Sequence, residues 1–199
     1  MERTEDQKLL TQWHDWLEAI RADIRELLFA HRVFWKMDEL QRTYPTPILE
    51  GPLGSWMAIA YFYWLPAGVR RQLDEDQKCV SLARLLRSIE SNRSGFSWAA
   101  GVARDIKELE SRGKAIIRYA NNRVAHLNKK EYENWGTTKG ANGPTAAQVG
   151  EWMDLAVSLI CKYEALVTGR DVSQRFESWI HKWESELEHR FEASSSEKE

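Results

Sequence analysis

The run Arg118-Tyr-Ala-Asn-Asn-Arg-Val-Ala-His126 places two arginines, two asparagines and a histidine close together on one predicted helix. These side chains suit phosphate chemistry: guanidinium groups bind anionic oxygens, amides orient them, and an imidazole moves protons near neutral pH. Between Arg112 and Lys130 stand six cations (Arg112, Lys114, Arg118, Arg123, Lys129, Lys130) and no Asp or Glu, although the whole chain carries a formal net charge of −2. A local positive field is therefore concentrated where the histidine sits. At about 100° per helical residue, Asn122 and Tyr119 fall within roughly 40° of His126, with Arg123 about 60° to one side and Arg118 about 80° to the other. All can face one ligand. The competing reading is a histidine that serves only as a helix C-terminal cation on the last carbonyls.

The elements that must position this run are helical throughout. From Thr4 to Thr43 the apolar residues Leu9, Leu10, Trp13, Trp16, Leu17, Ile20, Ile24, Leu27, Leu28, Val33, Phe34, Met37 and Leu40 follow the i, i+3, i+4, i+7 spacing of a long helix with at most one break. Prolines at 45, 47 and 52 end it. Ser55 is the expected cap of a second helix running to about Leu73, apolar nearly all round, kinked or divided at Pro66, and expected to be the buried centre of the bundle. Val80 to Ile89 reads as a short amphipathic helix, and Trp98 to His126 as helix with a break or weak point at Gly113. The run from Asn128 to Pro144, with Gly136, Gly140 and Gly143, is the longest expected loop and follows the candidate site directly. Thr145 and Gln148 form a capping-box pair for a helix ending at Gly169, and a last helix spans Val172 to Phe191. The pattern predicts an all-α antiparallel helical bundle with a long N-terminal helix. One domain occupies residues 1–170, an appended C-terminal helix 171–192 and a disordered polar tail 193–199.

Composition narrows the function classes. The 199 residues can bury a core without staples, and the acidic balance excludes a protein that coats nucleic acid generally, so any such contact must be local. The ten tryptophans read mostly as core or interface, as does the aromatic run Tyr61-Phe-Tyr-Trp64. Cys79 and Cys161 read as buried thiols in a reducing cytoplasm, and no leader or membrane-spanning pattern is read, so a cytoplasmic protein is expected. The histidines at 14, 31, 126, 181 and 189 form no metal-ligand spacing, and four of them are expected on helix surfaces. Gly51-Pro-Leu-Gly54 lacks the lysine and strand of a phosphate loop, and no nucleophile elbow occurs, so neither a metal nor a cofactor is expected.

Several segments in order resemble the HEPN superfamily of helical proteins, and within it the AbiU-like abortive-infection branch. They are Val33-Phe-Trp-Lys-Met-Asp-Glu-Leu40, the helix Trp56 to Arg71, Val80 to Glu90, Arg104 to Leu109, and Ile117 to Asn128 with its Val-Ala-His-Leu. The resemblance spans about residues 20–168 and implies an HEPN-like bundle that dimerises. It also implies RNA as substrate, a cognate antitoxin or regulator protein as a further partner, and metal-independent cleavage. His126 would act as general base or acid around attack of a ribose 2′-OH, while an arginine stabilises the pentavalent phosphate. Arg118, Asn122 and Arg123 are the accompanying candidates.

The family pattern separates its arginine and histidine by four to six residues. Here those positions are Asn121, Ala120 and Tyr119; Arg118 stands eight before His126 and Arg123 three before it. A working ribonuclease and a non-catalytic module that binds RNA, a nucleotide or a protein both fit this sequence. A structural subunit using a Trp179 and Trp183 face is a third reading.

Overall fold

The computed structural model describes residues 4–43, 52–125 and 143–196. Among them are six α-helices and no strand: α1 (Glu5–Thr43), α2 (Pro52–Gln72), α3 (Leu82–Ser91), α4 (Val102–Tyr119), α5 (Ala146–Thr168) and α6 (Ser173–Ser196). Two 3₁₀ turns, Arg93–Gly95 and Ser97–Gly101, link α3 to α4, and a π turn, Ala120–Ala125, continues α4.

α1, α2, α4 and α5 form a closed ring in which each helix packs on two others, with α3 laid against α4 and α6 against α1. Named contacts fix the directions. Arg71 pairs with Asp23 while Tyr61 meets His31, so α2 runs antiparallel to α1. Glu164 pairs with Arg21 while Gly150 lies beside His31, so α5 does the same. Tyr163 bonds Asp105 while Trp152 abuts Gly113, which sets α5 antiparallel to α4. Leu73, just past α2, touches Gly113, and α2 also packs on the π turn beyond it. Only an antiparallel α2 can reach both. The ring is thus up-down-up-down, whereas α6 follows α1 in parallel, with Trp183 on Phe29 and Glu188 on Lys36.

The expected apolar stripes face inward. Trp13, Leu17, Ile20, Ile24 and Leu27 of α1 are fully buried, and Trp13 meets the Phe96 ring edge-on at 5.0 Å. α1 is one unbroken helix of 39 residues, with Glu5 and Asp6 in its first turn and Arg42 in its last, signs that suit the helix dipole. Thr145 Oγ1 accepts from the Gln148 amide at 3.2 Å and Gln148 Oε1 from the Thr145 amide at 2.9 Å, completing the anticipated capping box. Gly169 ends α5 at φ 73°, a conformation that favours glycine.

Several expectations need correction. α2 starts at Pro52, so Ser55 lies inside it; proline suits a first helical position because its missing N–H would be unpaired anyway. Pro66 is buried within an uninterrupted α2. Nor is α2 enclosed on several sides. Tyr61, Leu65 and Val69 are buried, but Trp56 is 65% exposed, Trp64 44% and Phe62 40%, so the aromatic run is only partly core. Gly113 marks no break: α4 passes through it, and a Cβ there would collide with the Leu73 Cδ1 methyl and lie 3.1 Å from Trp152 Nε1. α6 continues to Ser196, into the segment read from composition as a disordered tail, because an established helix extends readily through Ala193 and polar residues. The two cysteines are half-buried free thiols rather than buried ones. Among the described residues no helix is long and apolar enough to cross a membrane.

Candidate functional site: the π turn that ends α4

α4 buries Val102, Asp105, Ile106, Leu109, Gly113 and Ile116 and turns Lys107, Ser111, Lys114 and Arg118 outward. This division follows from the 3.6-residue period, since the outward residues lie opposite the buried ones. At Ala120, itself buried, the hydrogen-bond pattern widens to that of a π turn, which carries Asn121 exposed and Asn122 half-buried. Such turns are rare and concentrate at functional positions.

The π turn changes the geometry expected of the site. Each of its residues advances the helix by less than the 100° of a regular helix, so the angle of about 40° between Arg118 and Asn122 narrows and the two stay on one face. Arg118 is exposed and makes no ion pair or side-chain hydrogen bond among the described residues. Asn122 sits half-buried beyond the change of register. The Arg123 backbone belongs to the π turn, but its side chain lies outside the described residues, as do His126 and the expected loop as far as Asn142.

The surroundings of the turn are well defined. Counting back along antiparallel α2 from the contact between Leu73 and Gly113, Ala120 falls level with about Pro66 and Ala125 with about Tyr61. On the other side the Tyr119 ring lies against Gly143, whose Cβ would stand 3.1 Å from Tyr119 Cε2. The chain therefore re-enters the described structure beside the residues from which it departs.

Three buried polar groups escape a reading by motif. The His31 Nδ1 and the Tyr61 hydroxyl are 2.8 Å apart, and that hydroxyl also accepts from Trp35 Nε1 at 3.0 Å. Burial, aided by the charge of Arg32, pushes the His31 imidazole down to about 4, and burial pushes the Tyr61 phenol up to about 12. His31 is therefore neutral near pH 7 and can accept the Tyr61 hydroxyl hydrogen. This corrects its expected surface position. The signal was present, since His31 continues the buried stripe Ile24, Leu27, Leu28 at helical spacing.

Asp105, 6% exposed, accepts from the Tyr163 hydroxyl at 2.7 Å and from Lys162 Nζ, while burial and this carboxylate together raise the Tyr163 pKa. Glu164, 3% exposed, pairs with Arg21. Burial opposes the Arg21 charge, but bonds to Glu164 and Glu18 outweigh it and raise its pKa. Each of these three groups joins neighbouring helices of the ring and lies within the packing.

Among the described residues no three His, Cys, Asp or Glu side chains are grouped as a metal site requires. A surface depression of about 310 Å³, lined by Leu10, Thr11, His14, Val167, Thr168 and Arg170, lies at the end of the bundle opposite the π turn. Comparison of the chain with models of known families, with curated proteins and with solved structures finds no match.

Proposed function

We propose that this chain is an HEPN-like, metal-independent endoribonuclease of the toxin or phage-defence type, with the π-turn end of α4 contributing half of a dimer cleft. The observation that carries the reading is the juxtaposition, over one turn of chain, of an exposed arginine that has no ion-pair partner among the described residues with a π turn bearing two asparagines, immediately before His126 in the sequence. An exposed guanidinium without a carboxylate partner is available to an anionic ligand, and π turns are frequent at functional positions.

In this mechanism His126 takes the proton of a ribose 2′-OH. The 2′-oxygen attacks the adjacent phosphorus, the bond to the 5′-oxygen breaks, and a protonated acid, the equivalent histidine of a second copy or water, supplies the leaving oxygen with hydrogen. A 2′,3′-cyclic phosphate remains. Arg118 or Arg123 offsets the charge gathering on the equatorial oxygens, and Asn122 orients them. The α2 face that carries Trp56, Ala60, half-buried Tyr63, Trp64 and Ala67 over an arc of about 100° adjoins the π turn and offers a self-complementary dimer surface.

The missing arginine at the family interval favours a second reading, a non-catalytic module that binds RNA, a nucleotide or a protein partner. Incubating wild-type and His126→Ala protein with total RNA and tRNA in EDTA separates the two. Cleavage to cyclic-phosphate ends by the wild type alone supports the nuclease; cleavage retained in the variant, or intact RNA with both, sinks it.

A further inference from the structure

The outward face of α4 has a charge arrangement beyond the candidate site itself. Lys107, Lys114 and Arg118 lie within roughly 20° of one line along the helix, about 10 Å and then 6 Å apart in rise. All three are exposed, and none has an ion-pair or hydrogen-bond partner among the described residues. Exposure alone does not produce this, because α4 also carries three carboxylates that could neutralise the line. Each is engaged elsewhere. Asp105 is held by Tyr163 and Lys162, Glu108 by Arg112 at 2.7 Å, and Glu110 by Arg87 of α3 at 2.6 Å. The line remains uncompensated over about 17 Å and ends where the helix widens into the π turn. Ser111 is the exposed residue nearest the line between its cations, and the exposed Ala115 to one side is too small to anchor in a bilayer.

We propose that Lys107, Lys114 and Arg118 form a track along α4 that binds successive phosphates of a single-stranded RNA and leads the strand to the π turn. The inference rests on the reading that this end of α4 handles RNA, and it names the form of RNA and the path taken. Flexible lysine side chains on one helix face can follow a single backbone without reading sequence, so binding is salt-dependent and nearly indifferent to base order.

The test uses a fluorescent 2′-O-methyl RNA oligonucleotide, which lacks the attacking hydroxyl and stays intact, titrated with full-length protein at several salt concentrations. Wild type is expected to bind, with affinity falling as salt rises. Lys107→Gln and Lys114→Gln should each weaken binding several-fold and reduce the salt slope by about one, and the double variant by about two. Lys182→Gln on α6 should change neither. Absence of wild-type binding, or an unchanged slope in the double variant, overturns the track. Cleavage assays distinguish this failure from failure of the nuclease reading. Cleavage with a raised KM and an unchanged kcat in the double variant supports both. An unchanged KM overturns the track alone. Track-dependent binding without cleavage by wild type supports the track and sinks the nuclease.

Discussion

The His31 imidazole and the Tyr61 hydroxyl meet at 2.8 Å across the interface of α1 and α2, with Trp35 donating to the same oxygen from one turn further along α1. Burial keeps the ring neutral by holding the pKa near 4, below the ordinary 6.5, so the ring can accept the hydroxyl hydrogen. An unfolded chain takes up this proton as pH falls below 6.5, whereas the folded chain refuses it until about 4. Stability contributed here is complete above 6.5 and lost progressively down to 4. The expected loss is on the order of 3 kcal/mol. Denaturant melts between pH 7 and pH 4 should show a steeper decline for wild type than for His31→Leu; equal declines would remove His31 as the cause.

Gly113 tests the closeness of the ring. An alanine gains about 1 kcal/mol of helix propensity yet must displace the Leu73 methyl and press on the rigid Trp152 indole. Gly113→Ala is expected to lose a net 1–2 kcal/mol, on the order found for overpacked cores. Gly101→Ala, whose Cβ meets nothing nearer than Lys162 Nζ at 3.8 Å, should be neutral. Urea midpoints of the two variants check the contrast.

Arg21 and Glu164 are unequal partners, 19% and 3% exposed at the side chain. Arg21→Met leaves a carboxylate buried without its cation and should cost roughly 3 kcal/mol. The double variant Arg21→Met/Glu164→Leu should recover most of that loss, since no charge is then stranded. A double variant no more stable than the single one would show that packing, rather than charge, sets the cost.

Trp56 and Trp64 bear on the proposed dimer. Trp56 is 65% exposed within one protomer and Trp64 44%, so Trp56→Glu should leave the melting temperature of an isolated protomer nearly unchanged and Trp64→Glu should lower it only modestly. Each should weaken self-association by about tenfold or more, equivalent to about 1.4 kcal/mol. Sedimentation equilibrium reads this directly. An unaltered association constant would place any dimer contact elsewhere.

Periodicity made the bundle legible because helices bury stripes. The inward residues of α1, the Thr145 capping box and the Gly169 stop follow from spacing and local hydrogen bonding alone. A division at Pro66 and a break at Gly113 were both open from the sequence, and neither occurs, because tertiary packing holds a helix through residues that would weaken it in isolation. The outer face of α2 misled for the opposite reason: an apolar sequence states what avoids water, not which neighbour supplies the cover. At the site, the cation cluster and asparagines were legible, but the π turn that rotates them was not. It depends on a hydrogen-bond register with no residue signature in Ala120 to Ala125. His31 was hidden by its type, since its position matched the buried stripe.

The helix that organises the ring is made long before the partners that cover it. Arg21 and Glu164 are 143 residues apart in the chain, and Lys36 finds Glu188 later still. During synthesis, α2, α3 and the turns after it can cover part of α1, as Trp13 on Phe96 shows, but the side that α5 covers stays open until α5 emerges, so the ring closes only after residue 168 has been made. A nascent chain halted before residue 146 would present that side to chaperones. Any role of the π turn that depends on the closed ring would be withheld until α5 has been made.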